Sequence, residues 1–511
     1  MGTRAATNNE PQTGNHSSDE NLDQLAEDIQ STLNFVRSSR RPAVQDCIIR
    51  SVNPLLRRVN EAAYRPLFVI IGPLRCYNSL LEPMELQKRI YLASFLQRSG
   101  NAASVNEFCR LIKASAHEIR SRYEETYYRK CDFRSHEIQQ NIPPTDDNLR
   151  WFIDMVLADA AFIIELLLRV YNKEERPISE IDFVFDSPGK IHDIRRDLFL
   201  AHNQLPLFIL KQIYERAFAN TPGYPPFIHL CCNFFHQYFN QNISVHDLFQ
   251  PNQSHVDFRT KLEGAKHFTD LLRTLQLQHS FQSPSRKSKS FRCNPKFKWI
   301  KVCVGSIWSL LFLSCQKTED DSELESGRVQ GKYLYSATLL REAGVKFRES
   351  SSRCLLDIKF NKNNGELKIP SLKVDYSTEP FFRNIMGWEQ SYYPEETYIC
   401  DYIFLMEYLV KSTEDVDLLV RKRIIINQLG SHAALVTLFN DLCKHIPQAE
   451  NNRYSETFRA LNAYNAVRHH GWIAKLRLFY FKSLWTSVAT LAATMLLLLT
   501  LTQTICAIIA L

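Results

Sequence analysis

The stretch LRWFIDMVLADAAFIIELLLRVY, Leu149–Tyr171, decides how this chain folds. Between Phe152 and Leu168 apolar side chains fall on nearly every face, so the segment reads as a helix buried all round at the centre of a core. The break Asn141-Ile142-Pro143-Pro144 introduces it. Asp154, Asp159 and Glu165 ride on this helix. Three carboxylates on a buried helix are candidates for a metal or acid–base site, but the helix has polar edges that hold such groups equally well.

Upstream, RSVNPLLRRVNEAAYRPLFVIIGP (Arg50–Pro73) is broken by two prolines and ends in a short, strand-like apolar run. Met84–Leu96 and Val105–Tyr123 carry helical spacing, and Leu22, Leu25, Ile29, Leu33 and Val36 mark an amphipathic opening helix. Downstream, DIRRDLFLAHNQLPLFILKQIYERAF (Asp193–Phe218) reads as two helices meeting at Asn203-Gln204, with Pro206 suited to the first turn of the second. Asn203 and Gln204 are expected to satisfy backbone groups at that corner. His202 beside them has no nucleophile or carboxylate in sequence that would commit it to catalysis. Further on, Ser336–Phe347 is expected to be helical. Leu355–Phe360 and Glu366–Ile369 flank Asn361-Lys362-Asn363-Asn364-Gly365 as a β-hairpin. Tyr398–Leu409, Asp415–Ile426 and Ala433–Cys443 complete the helices of the body. The fold expected is mainly α: a large helical domain with a small β-hairpin, plus one C-terminal transmembrane helix.

Composition agrees with that class. The 511 residues are 45% hydrophobic and 23% charged, with a formal net charge of +7. That charge is small for the length and disfavours a dedicated nucleic-acid binder. Only 15 glycines occur, which disfavours Gly-rich phosphate loops. The 13 cysteines are scattered without a C-x-x-C pair, so reduced thiols in a cytosolic setting are expected. The sequons at Asn15 and Asn242 are short enough to arise by chance. Met1–Glu20 lacks the apolar core of a signal peptide.

From Leu484 to Leu511 the chain reads LWTSVATLAATMLLLLTLTQTICAIIAL, without a charged residue. About 20 apolar residues cross a bilayer core as a helix. Lys475, Arg477 and Lys482 precede the run and Trp485 lies at interface depth, the usual basic and aromatic flanks. The expectation is a single-pass C-terminal anchor with the bulk of the chain facing the cytosol, the plasma membrane being the first choice of membrane. Small residues one turn apart, Thr486/Thr490 and Ala489/Ala493, would let two such helices approach as a homo-oligomer.

Gln282–Gly331 differs from its surroundings. Arg286, Lys287, Lys289, Arg292, Lys296, Lys298 and Lys301 form a basic run with Phe291, Phe297 and Trp299 interleaved, followed by apolar and then acidic stretches. Such a run can contact anionic lipid headgroups or nucleic acid; a flexible insert is the reading preferred here. The organisation expected is therefore a polar N-terminal segment (1–44), a helical body in two parts (45–281 and 332–482) around the insert (282–331), and the anchor (484–511).

Several ordered motifs resemble the plant domain-of-unknown-function 247 family: VNEAAYRPLFVIIGP, FIIELL, HNQLPLFIL, SATLLREAGVKF, GELKIPSLKVDYSTEPFFRN and the WIAKLRLFYF–apolar tail. The resemblance covers about Cys47 to Leu511. The chain departs from the family pattern at Gly72-Pro73-Leu74-Arg75-Cys76, where a tyrosine and paired histidines are usual, and at His202, where a glutamate is usual. The resemblance implies a single-pass plant membrane protein with no established catalytic residues; no cofactor is expected. Some grass members are implicated in self-incompatibility, which would be recognition by surface contacts with a protein partner. No nucleophile elbow, H-E-x-x-H, Walker loop or Rossmann fingerprint occurs. The function expected is non-enzymatic recognition or signalling at a membrane. The alternatives are an anchored enzyme of unrecognised type, or a lipid or nucleic-acid tether through the basic run.

Overall fold

A computed structural model describes residues 2, 29–30, 47–73, 82–100, 104–124, 146–173, 182–218, 221–238, 249, 256–277, 334–352, 354–449, 452–466 and 484–509. The insert 282–331 with all its basic residues, the flanks Lys475, Arg477 and Lys482, both sequons and most of the opening helix lie outside them. In chain order the described helices begin with α1 (Pro54–Val59), α2 (Glu82–Ser99), α3 (Val105–Ser121), α4 (Asp146–Asn172), α5 (Pro188–Phe199), α6 (Leu207–Phe218) and α7 (Phe227–Phe234). They continue with α8 (Val256–Glu263), α9 (Phe268–Gln276), α10 (Ala337–Glu342), α11 (Thr378–Tyr392), α12 (Tyr398–Leu409), α13 (Thr413–Arg421), α14 (His432–Cys443), α15 (Ser455–Ala466) and α16 (Leu484–Ile509). Five short strands, β1 (Lys346–Ser350), β2 (Lys359–Asn361), β3 (Glu366–Pro370), β4 (Leu372–Val374) and β5 (Ile425–Asn427), and two single 3-10 turns (Glu61–Ala63 and His236–Tyr238) complete the described elements.

The helix α4 is central. Phe152, Met155–Ala158 and Ala160–Ile164 are buried, as are Leu166–Leu168. α2, α3, α6 and α7 pack around it. Aromatic side chains lock this group: the rings of Tyr91 and Phe162 lie 5.2 Å apart, and Phe95 touches Phe108 at 5.4 Å and Phe218 at 5.8 Å. In the second half α12 packs on α11 and α14, and α13 on α14. α5 contacts α9 and α11, so both halves share one continuous apolar core.

The hairpin forms where the Asn-Gly turn places it: β2 pairs antiparallel with β3, Asn361 opposite Glu366, and Gly365 takes φ +66°. Two features differ from expectation. The expected helix Ser336–Phe347 ends at Glu342; Gly344 at φ +98° turns the chain, and β1 then adds parallel to β3. The expected helix Asp415–Ile426 likewise stops at Arg421, with Arg423 at φ +58°, and Ile425–Asn427 pairs parallel with β4. In both places a left-handed residue follows the helix and a strand of three to five residues comes next, too short for local periodicity to assign to helix or strand. The ring of Tyr464 on α15 stands edge-on to Phe360 of the hairpin at 5.6 Å.

The C-terminal apolar run is helical: α16 spans 26 residues without an acidic or basic side chain in its end turns. Its side chains are described over 492–504, about 20 Å of helix. That is short of a bilayer's hydrocarbon core of about 30 Å. Among the described residues no helix is long and apolar enough to cross a membrane. The transmembrane span expected over Leu484–Leu511 is thus not shown by the structure, and Trp485 is described only as part of the α16 backbone.

Candidate functional site

The run LFVIIGP (Leu67–Pro73) is buried over Val69–Pro73 but joins no sheet. Buried backbone amides need partners, and here side chains from distant helices supply them. Asp197 at the end of α5 accepts from the amides of Leu67 (2.9 Å), Phe68 (2.6 Å) and Val69 (3.0 Å). Asn203 accepts from the Ile71 amide at 2.7 Å and donates back to the carbonyls of Val69 and Asp197, both at 2.9 Å. Asp159 on α4 accepts from the Gly72 amide at 2.8 Å, and Lys88 on α2 donates to the Ile70 carbonyl. Lys88 and Asp159 themselves pair at 2.9 Å with both side chains fully buried.

Gly72 sits at φ +72°, and a Cβ there would lie 2.9 Å from the Gln204 carbonyl and 3.0 Å from the Tyr123 hydroxyl. Only glycine fits both the conformation and the space. Tyr123 donates to that same Gln204 carbonyl at 2.8 Å. The Gln204 amide donates to Leu198 and Leu200 and accepts from Phe268. Asn203 and Gln204 therefore act as their sequence position implied, at the corner between α5 and α6. The segments VNEAAYRPLFVIIGP, FIIELL with the neighbouring Asp159, and HNQLPLFIL meet in one polar clamp.

The other candidate chemical residues are also held by structural bonds. Asp154 pairs with Arg89 at the surface. Glu165 is fully buried and receives Arg98 and Arg169, each at 2.9 Å. Arg169 also bonds Asp182 and lies 4.5 Å over the Tyr91 ring. Glu379 accepts from Asn60 and Arg383, both at 2.8 Å. The three carboxylates of α4 thus meet basic side chains of α2, with Arg169 of α4 itself, rather than one another. Among the described residues no group of three His, Cys, Asp or Glu side chains is placed to hold a metal ion. The described cysteines are free thiols.

His202 is 4% exposed, and its Nδ1 has no hydrogen-bond partner among the described residues. Burial pushes its pKa down to about 3, so the ring is neutral. Burial pushes the Asp197 carboxyl up to about 6, against the amides that favour its charge.

Sequence reading missed a second buried cluster between α9 and α11. Arg273 pairs with Glu389 at 2.9 Å, with side chains 3% and 0% exposed. Glu389 also accepts from the amides of Ile399 and Cys400, both at 3.0 Å, capping α12 from outside. Asp270 accepts from Trp388 and Tyr393, while His267 stands edge-on to Trp388 at 4.3 Å. Burial lowers the His267 pKa to about 4, and the nearby Asp270 opposes the shift. These partners lie more than 100 residues apart in the chain, and a spacing rule carries no signal for them.

The surface bears a half-open groove of about 790 Å³ between α3, α6, the Tyr224–Ile228 segment and the end of α8. Tyr214, Phe218 and Phe227 lie buried at its floor, with Tyr224 stacked on Phe218 at 4.4 Å. Glu118, Glu215 and Glu263 line it together with Arg122, Lys211 and Lys266. Lys211 stands loosely, 3.8 Å from Glu215 and 4.0 Å from Glu263. No residue proposed from sequence lines this groove.

Comparison with known proteins follows the same outline as the motifs. A UPF0481 protein of Arabidopsis thaliana is 25% identical over 470 residues, covering 91% of this chain and 87% of the relative. A second UPF0481 protein of Arabidopsis thaliana is 21% identical over 489 residues, covering 86% and 85%. No solved structure matches the chain. The family DUF247, described as "Plant protein of unknown function", matches residues 49–499. That match takes in the clamp, the second cluster and most of α16, and the chain belongs to this plant family.

Proposed function

We propose that this chain is a membrane-anchored protein that acts by recognising a polypeptide partner rather than by catalysis. The observation that carries the reading is the groove. An aromatic floor under a rim of three acidic and three basic side chains suits a peptide surface, with apolar side chains below and charges paired above. The groove lining includes no histidine, cysteine or aspartate. The buried carboxylates that could do chemistry are engaged in ion pairs and backbone bonds.

Anchoring is supported by α16. Met495 and the leucines 496–499 and 501 are each 59–69% exposed, a surface that water would not tolerate in isolation. The whole helix of 26 residues would rise about 39 Å, beyond a bilayer core of about 30 Å. A part in self-incompatibility, distinguishing self from non-self pollen, extends this reading by way of the family resemblance.

Truncation after Lys482 should release the chain from membranes into the soluble fraction. Reversing groove charges with Lys211→Glu and Lys266→Glu should abolish proximity labelling of specific neighbours in reproductive tissue while leaving membrane recovery intact. An unchanged labelling pattern would remove the groove from the reading. If Asp159→Asn abolished function with stability and localisation intact, chemistry would replace recognition.

A further inference from the structure

We propose that α16 pairs in parallel with α16 of a second copy of this chain, and that Gln503 is the side chain that fixes the pairing. The inference rests on the membrane-anchor reading above and assigns a residue to it.

Three threonines of α16 look after themselves. The Thr500 hydroxyl donates to the Leu496 carbonyl, Thr502 to Leu498 (3.0 Å) and Leu499 (2.8 Å), and Thr504 to Thr500 (2.7 Å). Such back-bonding is how hydroxyls are satisfied where no water reaches them. Gln503 differs. It is exposed and makes no hydrogen bond among the described residues. A primary amide brings two donors and an acceptor with two lone pairs. Left unpaired in hydrocarbon, those groups are costly.

Depth limits relief by water. Gln503 lies between six and seven residues from the midpoint of Leu484–Ile509, about 10 Å along the axis. The hydrocarbon half-thickness is about 15 Å, and a glutamine side chain is shorter than the lysine and arginine stems that snorkel. A neighbouring helix satisfies the amide without moving it to the interface.

A second copy fits best for two reasons. Copies of one chain enter the bilayer in one orientation, so each places Gln503 at the same depth. The amide is also self-complementary: donor meets acceptor on both sides of a two-fold axis. Ala492, Leu496 and Leu499 lead to Gln503 at alternating spacings of four and three, and are exposed, as a coiled-coil seam requires. A single polar residue in such a seam sets its register.

The test uses the full-length chain, labelled with donor or acceptor fluorophores and reconstituted in phosphatidylcholine vesicles at increasing lipid dilution. Wild type should transfer energy between copies, and Gln503→Leu should weaken self-association roughly tenfold. Gln503→Asn, with the same amide on a shorter arm, should retain part of it. Leu501→Ala, about 200° around the helix, should change nothing. Equal association by wild type and Gln503→Leu, or an equal loss in Leu501→Ala, overturns the pairing. So does a wild type that is monomeric at every dilution, which would point to a different membrane protein as the partner of Gln503. Alkaline extraction separates the two readings. A Gln503→Leu chain that resists extraction but self-associates normally sinks the pairing alone, whereas a wild-type chain that is extracted sinks the anchor with it.

Discussion

Replacing Lys88 with methionine tests the clamp most directly. Methionine keeps most of the stem volume and removes the ammonium, so packing survives while three contacts vanish. They are the 2.9 Å pair with Asp159, the bond to the Ile70 carbonyl and the 2.8 Å pair with Glu85. Glu85 is 40% exposed and turns to water; the Asp159 side chain is 0% exposed and cannot. The buried carboxylate loses this cation, and breaking one side of such a pair costs about 3–5 kcal/mol. Against a total stability of about 5–15 kcal/mol, that is a large share. With an unfolding entropy of roughly 2.1 cal/mol/K per residue over a body of about 400 residues, a loss of about 4 kcal/mol lowers the midpoint by about 5 °C. Asp159→Asn separates charge from shape, because asparagine still offers an oxygen to the Gly72 amide. The double variant should therefore recover part of the loss, with a coupling of about 1.5 kcal/mol or more. Thermal unfolding of the detergent-solubilised chain, followed by far-ultraviolet circular dichroism, measures all four proteins. A Lys88→Met midpoint within about 1 °C of wild type, or strictly additive losses in the double variant, would refute the clamp as a stabilising ion pair.

Acid should act through the two buried histidines. His202 and His267 are held to about 3 and about 4, below the ordinary 6.5, so the unfolded chain takes up their protons first. Each contributes stability that is present above pH 6.5 and declines below it, by about 2 kcal/mol at pH 5. Asp197 and Asp401, both raised to about 6, act in the opposite sense and are stabilised by protonation between pH 6 and 3.8. The stability of His202→Gln relative to wild type should therefore rise between pH 7.5 and 5; a constant difference in unfolding midpoint over that range would mean the ring is not held neutral. Gly72→Ala should cost about 1–3 kcal/mol, because it adds a Cβ at φ +72° against the Gln204 carbonyl. A thermal midpoint equal to wild type would show that the turn relaxes freely.

Periodicity and punctuation located much of this fold. The apolar run around Phe152–Leu168 identified the central helix because almost no face of it is polar, and Asn361–Gly365 identified the hairpin because such a turn needs a glycine at positive φ. The parallel partners β1 and β5 were not visible, since each is a short run just past a left-handed residue that follows a helix. At the clamp, Asn203 and Gln204 could be read from their corner position, but Asp197 and Lys88 could not. A lone aspartate beside two arginines and a lysine in an amphipathic helix look like solvated charges until the fold brings the Leu67–Gly72 backbone against them. The groove left no local trace, because its walls come from segments that are unremarkable one at a time.

The clamp also sets a delay during synthesis. Leu67 and Ile71 lie 130 and 132 residues before the side chains that receive their amides. At about 5–20 residues per second, a ribosome needs roughly 6 to 26 seconds to supply those partners. Over that interval the apolar run LFVIIG has no sheet to join, and of its clamp partners only Lys88 and Asp159 have been made. It is the part of the nascent chain that a holding chaperone would be expected to cover, and its release would have to wait for the corner at Asn203.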